Sequence, residues 1–581
     1  MIDYCAHVLS LRSATETLDQ VVPGTGHADA WEQVRNAVAA EPGYALLGSL
    51  LDHLMERAEG ADREHELLEE GAELHALAAA TLSRIETFRS RFEAMVKSPG
   101  TATTAEYRDL VDDMKDLHTS LTGQVDRIKA LRARAMPPFA HIPPHGAARN
   151  EPVDAWLWRD VHTARRTDAL VRALAAAGDG SDRARALSFG ALVGYAANCV
   201  GSSYLGSVVG GPRRNHPMRD RLVRYATGGR LRHSTHDPVI WPDFSGLRQA
   251  LALGADPAAL PAAVRTQIRT ALAEAFPAGA GGPAVPPDLS AAHTRLLRHL
   301  ELLDAFDRLP LPADIQADLL VRIQSGDGGS AGVLSDPQTE IGTVGDSGMG
   351  DPGDYPQPPP VVTGEVSDNG CSSLGLVILC ITIIGIVIYL AVSDDDESGE
   401  NPQTSQEALT NFLESENSCK AVAYAYHAHT GLWEAASRLT EAYKRIGLLY
   451  PDELDVDDAV FARLTTAPDH KTRPFTAVPG SWVDGHPYHY LAWPPHADIE
   501  QPSEDYLVMD TPESMLTGNP HAGPVTTGQF AAEVWLRHQD DPAPGAHDVN
   551  LDADADRGYA HPCWRAAPGG PIETLGYDEV V

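Results

Sequence analysis

Gly194, Asn198 and Ser202 occupy a spacing that would suit metal ligands. They lie four residues apart in the stretch LVGYAANCVGSSYLGSVVGGPRRNH, so on an α-helix their side chains stack along one face. Glycine has no side-chain donor, and neutral Asn and Ser bind zinc poorly compared with His, Cys or a carboxylate. The pattern therefore predicts a helix that has the geometry of a metal-binding element but lacks the ligands.

The residues around these three positions form a sequence pattern, here called the frame, that is similar to the pattern of a known family. The frame consists of Tyr195, Ala196, Ala197, Gly201, Tyr204, Val208, Val209, Gly210, Gly211, Pro212, Arg214 and His216, with His162, Arg165, Arg166 and Thr167 upstream. Over about residues 156–233 it resembles the zinc-dependent phospholipase C-like family. Where that family carries His, Asp and His, this chain carries Gly194, Asn198 and Ser202. The resemblance implies a degenerate phospholipase-like helical domain with no catalytic residue, no metal and no other cofactor.

A zinc-dependent hydrolase of the phospholipase type remains an alternative. Its ligands would come from elsewhere in the chain, such as His162, His216, His233 and His236. A hydrolytic zinc ion needs several protein ligands to hold it and to acidify its water. His162 and His216 alone are too few, so we expect a pseudoenzyme.

Two long helices are predicted ahead of this region. Their apolar residues recur alternately every four and three positions, from Leu67 to Met95 and from Tyr107 to Ala135, which is a heptad seam. A short turn separates the helices, and Thr103 with Glu106 has the spacing of a capping box. The pattern predicts an antiparallel helical hairpin, which either belongs to a bundle or docks onto another protein.

The chain as a whole is predicted to have a mainly α N-terminal part, one transmembrane helix and a small α+β C-terminal domain. The predicted segments are a helical arm containing the hairpin (1–136), the degenerate phospholipase C-like domain (150–323), a disordered linker (324–373), the transmembrane helix (374–392), an acidic linker (393–403) and an acidic α+β domain (404–581).

The membrane prediction rests on Leu374–Val392, which has 19 uncharged, mostly aliphatic residues and nearly matches the hydrocarbon core. No Lys or Arg lies close to it, so the positive-inside rule gives no orientation. The first residues lack the features of a signal peptide. We therefore expect a bacterial cytoplasmic membrane protein with a single span, a cytoplasmic N-terminus and an extracytoplasmic C-terminus. Cys419 and Cys563 would then be candidates for a disulfide.

The net charge of the chain and its distribution limit the classes of partner that we expect. A net charge of −36 disfavours nucleic acid, because an acidic protein repels phosphate. Acidic residues outnumber basic ones by 33 to 10 in residues 393–581. A local basic cluster predicts either ion pairs within the domain or contact with the anionic headgroups of a lipid bilayer. The lipid-contact candidates in it are Arg213, Arg214, Arg219, Arg221 and Arg224.

These features together predict a non-enzymatic single-pass membrane protein that binds a protein partner or a large cytoplasmic particle. The predicted architecture is similar to that of membrane accessory proteins of contractile injection systems, which implies an adaptor or effector role. A third alternative is an envelope-acting toxin or sensor that works through the C-terminal domain.

Overall fold

The computed structural model describes residues 1–58, 63–135, most of 157–309, most of 407–452, 526–540 and residue 551. Of this interpretable part, 83% is helical and none is in a strand. The predicted mainly α class is therefore confirmed for the described residues. The chain divides into two compact units, each described by itself below. The first combines Met1–Glu66, Pro138–Asp304 and Tyr443–Val581, and the second combines Leu67–Pro137 and Ala305–Ala442.

The helices are numbered here in chain order. They are α1 (Tyr4–Val21), α2 (Ala28–Ala40), α3 (Pro42–Ser49), α4 (Leu51–Glu56), α5 (Arg63–Lys97), α6 (Thr104–Ala135), α7 (Trp158–Ala164), α8 (Thr167–Ala176), α9 (Asp182–Val209), α10 (Pro217–Ser234), α11 (Phe244–Leu251), α12 (Ala262–Ala275), α13 (Leu289–Leu303), α14 (Glu416–Arg445) and α15 (Thr527–Asp540).

Helix α9 is the central helix of the first unit and packs against α1, α2, α3, α8, α10 and α15. Its contact with α3 depends on glycine. A Cβ atom at Gly48, Gly190 or Gly194 would lie 2.5 Å or less from a carbonyl oxygen of the facing helix. Only glycine allows two backbones to approach this closely. The predicted ligand position Gly194 is therefore a packing position.

The second unit contains the α5–α6 pair. The amide of Gln124 donates to the hydroxyl of Thr81 at 2.8 Å, and Arg91 pairs with Asp113 at 2.9 Å. As the position in α5 rises from 81 to 91, the facing position in α6 falls from 124 to 113, so the helices run antiparallel. The seam residues are buried, apart from two half-buried methionines.

The charges of the hairpin agree with this direction. The acidic start of α5 faces the basic end of α6, where Glu73 pairs with Arg127 at 3.2 Å and Glu70 pairs with Arg134. The parallel arrangement would instead place like charges side by side. The capping box is also present, because the amide of Thr103 donates to Glu106 at 3.0 Å and that of Glu106 to the Thr103 hydroxyl at 3.3 Å.

The predicted localisation needs correction. Among the residues placed in the structure, no helix has the length and apolar character needed to cross a bilayer. This finding contradicts the predicted single-pass membrane protein. The segment Leu374–Val392 itself lies outside the described residues, as do the two predicted linkers.

The predicted topology fails for a further physical reason, because the first unit contains residues from both sides of the predicted span. The rings of Tyr225 and Tyr450 stack with their centroids 4.3 Å apart. The amide of Leu551 donates to the carbonyl of Thr163 at 2.8 Å. Segments that share one core cannot lie on opposite sides of a bilayer, so the prediction of an N-terminal part inside and a C-terminal part outside is wrong.

No separate C-terminal α+β domain is found in the described part of residues 404–581. What the structure places there is helical, chiefly α14 and α15. The segments predicted to be strands lie outside the described residues. Helix α15 instead packs against α1 and α9 of the first unit.

Candidate functional site

Four polar side chains from three helices meet in the core of the first unit. They are His7 of α1, Asp52 and His53 of α4, and Asn198 of α9, and each is at most 2% exposed. We call these four residues the buried centre. The potential ligand atoms of the two histidines and the aspartate all lie within 4.8 Å of one another.

Asp52 is the acceptor at the middle of the buried centre. Its Oδ2 atom accepts hydrogen bonds from His7 Nε2 and Asn198 Nδ2, both at 3.0 Å, and its Oδ1 atom accepts from the amide of His53 at 2.8 Å. Burial acts to raise the pKa of the Asp52 carboxyl. The charges of His7 and His53 and the hydrogen bonds from His7 and Asn198 outweigh it, and hold that pKa well below its usual range. Asp52 is therefore a buried, fully hydrogen-bonded anion.

The first residues of the chain close one side of the buried centre. The amide of Ile2 donates to Asn198 Oδ1 at 2.8 Å, and the carbonyl of Ile2 accepts from His53 Nε2 at 3.1 Å. Because a carbonyl oxygen only accepts, Nε2 of His53 must carry a proton. Met1, Ile2 and Asp3 are all buried. Both oxygen and nitrogen of the Asn198 amide are thus used within the protein.

A cavity of about 20 Å³ adjoins the centre, lined in part by Asp52, His162, Gly194 and Asn198. This volume holds about one water molecule or one ion. Burial lowers the pKa of His162, and the nearby Asp52 charge opposes the shift only in part. The ring of His162 is therefore neutral at physiological pH. The cavity is far too small for a phospholipid headgroup.

The residues present do not fit the metal cluster that is typical of the family that the sequence resembles. A side chain at position 194 would collide with the carbonyl of Ser49, because even a Cβ atom would lie 2.5 Å from it. The Asn198 oxygen is occupied by Ile2, and Ser202 donates to the Cys199 carbonyl of its own helix at 3.4 Å. Among the described residues, His7 and Asp52 are the pair best placed to bind an ion. The prediction that no metal is bound stays a prediction.

Of the other predicted ligands, only His233 lies in the part of the chain that the structure describes. His216 and His236 lie outside the described residues, and His233 lies in the last turn of α10 and does not line the cavity. Cys563 also lies outside the described part. Cys419 belongs to α14, but its side chain is not described, so the disulfide stays a prediction.

Two of the predicted lipid-contact residues are buried in ion pairs. Arg221 is 7% exposed, pairs with Glu64 and donates twice to the Ile446 carbonyl, at 2.9 and 3.2 Å. Arg224 is 5% exposed and lies 3.5 Å from Glu56. Neither can reach a lipid headgroup, which corrects the prediction for these positions. Arg213, Arg214 and the side chain of Arg219 are outside the described part.

Sequence reasoning missed the buried centre because His7, Asp52 and His53 belong to no spaced motif. One local signal was available: Asp52 and His53 interrupt the apolar run LLDHLM, and a charged pair inside such a helix predicts a buried polar cluster.

Comparison of the chain with protein-family models, curated proteins and solved structures gives no match. The functional argument therefore rests on the geometry of this chain.

Proposed function

We propose that this protein is non-catalytic: its first unit is a helical scaffold stabilised by the buried centre, and the chain works by binding a protein partner. One observation carries the first half of this proposal. The Asn198 amide bridges the Ile2 backbone and the Asp52 carboxylate, so the position that corresponds to a metal ligand in the resembling family is used to join α9 to α4 and to the start of the chain.

The chemistry of the centre also supports this half. A hydrolytic centre needs an open coordination position and access for its substrate. Here His7 Nε2 is hydrogen-bonded to the Asp52 carboxylate and His53 Nε2 to the Ile2 carbonyl, and the adjacent cavity has room for about one water molecule. Hydrogen bonds of this buried kind stabilise a fold, because breaking one leaves an unsatisfied partner.

The second half, binding of a protein, is supported by the hairpin. A helix of 32 residues such as α6 is about 48 Å long, and the hairpin presents charged residues on its exposed faces. Long helical pairs of this type commonly dock onto other proteins. Leu77 is an exposed large apolar residue on α5, at 37%. The similarity to contractile injection proteins depended on the predicted membrane span, which the structure contradicts, so it does not support a function here.

Metal analysis of the full chain tests the first half. After incubation with excess zinc and dialysis, we expect well under one zinc per chain and no hydrolysis of a phosphodiester substrate. The variant His7→Gln removes a potential ligand of the centre, and His27→Gln removes a half-buried histidine outside the centre as the matched control. Neither variant should change the zinc content.

A metal-dependent hydrolase is the second candidate, favoured by the closeness of His7, Asp52 and His53. A zinc ion could replace the proton shared by His7 and Asp52. One zinc per chain that disappears in His7→Gln but not in His27→Gln, together with hydrolysis, would establish this candidate and refute the non-catalytic assignment.

Site-specific crosslinking tests the second half. A photoreactive amino acid replaces Leu77 in the full chain, and in a control it replaces Val285, which is 73% exposed in the first unit. We expect one defined protein adduct from position 77 and none from position 285. Equal, diffuse crosslinking from both positions would show that the hairpin has no specific partner.

A further inference from the structure

Helix α15 lies in a groove on the surface of α1 and α9. Its inward residues, among them Phe530, Val534 and Trp535, are 2–3% exposed. The Trp535 ring meets that of Trp31 from α2 edge-on, with the centroids 5.7 Å apart. We call this surface of α1 and α9, with Trp31 at its side, the α15 groove.

The fit between α15 and its groove is close along the backbone as well. A Cβ atom at Gly528 would lie 2.6 Å from the hydroxyls of Ser13 and Thr17 and 2.7 Å from the carbonyl of Ser13. Glycine at this position therefore lets α15 approach α1 directly. A helix with a larger residue there could not dock in the same position.

Hydrogen bonds between histidines and carboxylates hold the end of α15 in place. His538 Nε2 contacts Asp168 Oδ1 at 2.7 Å, and Asp168 is fully buried and also accepts from Arg172 at 2.9 Å. At the rim, His27 Nε2 contacts Asp540 Oδ1 at 2.9 Å. The groove thus recognises a helix through an apolar stripe and a hydrogen-bonded polar end, and peptide helices bind in grooves through similar apolar stripes.

Helix α15 also carries its own folding signals and is distant along the chain from the groove. Thr526 and Gln529 form a capping box, with reciprocal hydrogen bonds of 2.9 and 3.1 Å. Between Asp452 and Thr526 lie 73 residues. A connection of this length does not dictate whether α15 fills the groove of its own copy or that of another.

We propose that the α15 groove is a helix-docking site whose second occupant is α15 of another copy of this chain, so that two copies can join by exchanging this helix. Exchange preserves every contact described above, because the same residues meet in the same geometry. The intramolecular arrangement dominates in dilute protein, because α15 and its groove belong to the same chain, whereas exchange needs a second copy. This proposal is independent of the non-catalytic assignment.

The first test uses the wild-type full chain at high concentration. Light scattering after size exclusion should detect a dimer in protein held at about 1 mM, because a high concentration of the second copy favours exchange. Excess free peptide of residues 526–540 should dissociate this dimer, and a peptide carrying Trp535→Ala should not. A chain that stays monomeric, or a dimer that the peptide leaves intact, would overturn the exchange.

The second test measures the groove alone. The full chain with Trp535→Ala has a weakened internal helix, so a fluorescent peptide of residues 526–540 should bind it about tenfold or more tightly than it binds wild-type protein. Equal binding to the two folded chains would contradict the docking site. If this variant does not fold by circular dichroism, the wild-type dimer experiment decides the proposal by itself.

Discussion

The substitution Gly194→Ala tests the central packing of the first unit. It adds one methyl group to α9 at a position where the new Cβ atom would lie 2.5 Å from the carbonyl oxygen of Ser49 and 3.1 Å from its Cα. All the neighbours at this distance are backbone atoms of α3, so no side chain can turn aside. The two helices must separate by about half an ångström to reach an ordinary contact.

Two opposing effects determine how much Gly194→Ala lowers the free energy of unfolding. Overpacking of a tight core destabilises by about 1–3 kcal/mol. Alanine is a better helix former than glycine by about 1 kcal/mol, which offsets part of that cost. We therefore expect a net loss of about 1–2 kcal/mol, which lowers the melting temperature by about 2–8 °C in a unit of this size.

Gly123→Ala is the matched control, because Gly123 lies within α6 and a Cβ atom there would have no neighbour within 4 Å. It should raise stability by about 0.5–1 kcal/mol through helix propensity alone. Thermal unfolding measures both variants, and hydrogen exchange should show lost protection in α3 and α9 for Gly194→Ala. Unchanged stability of Gly194→Ala, or the same sign for both variants, would refute the packing argument. For the same reason, Gly194→His should destabilise the fold and recruit no zinc.

Further predictions concern single polar contacts. Asp52→Asn should destabilise the first unit by about 3 kcal/mol in a denaturant titration, because an amide NH2 group replaces one of the two oxygens that accept from His7, His53 and Asn198. The depressed pKa of Asp52 means that its stabilisation is present above the unfolded value near 3.9 and is lost as the pH falls below about 4, so Asp52→Asn should show a shallower acid loss of stability than wild type. The same loss of stability with falling pH in wild type and in Asp52→Asn would contradict this prediction. Arg221→Met should loosen the segment around Ile446, seen as faster amide exchange there, because two hydrogen bonds disappear. Thr103→Ala should lower the stability of the hairpin by about 1 kcal/mol, whereas no change would show that the capping box is not needed.

The hairpin was predictable because the sequence patterns that specify it involve residues close together in the chain. A heptad seam repeats along each helix, and a capping box depends on residues three apart, so both patterns can be detected in the sequence. The charges also indicate the antiparallel direction. Glu73 lies near the acidic start of α5 and Arg127 near the basic end of α6, and these ends meet only when the helices run antiparallel. The helical class of the first unit was predictable for the same reason.

The candidate site was only partly predictable. The sequence identified the face of α9 that carries Gly194 and Asn198, and both positions do line the cavity. It did not identify His7 or Asp52, because these residues are 45 positions apart and no spacing relates them. It also left open whether Arg221 forms ion pairs within the domain or contacts lipid, and only the structure shows this residue buried and paired with Glu64.

The sequence by itself determined the helices, the hairpin, the overall acidity and the absence of metal ligands from one face of α9. Only the tertiary structure decided which distant segments share a core. It placed α15 beside α1, Tyr450 on Tyr225 and the Ile2 backbone on Asn198, and with these contacts it overturned the predicted topology. The physical reason is that local patterns fix the periodicity of buried residues, whereas the choice among buried surfaces depends on shape and polar complementarity between segments far apart in the chain.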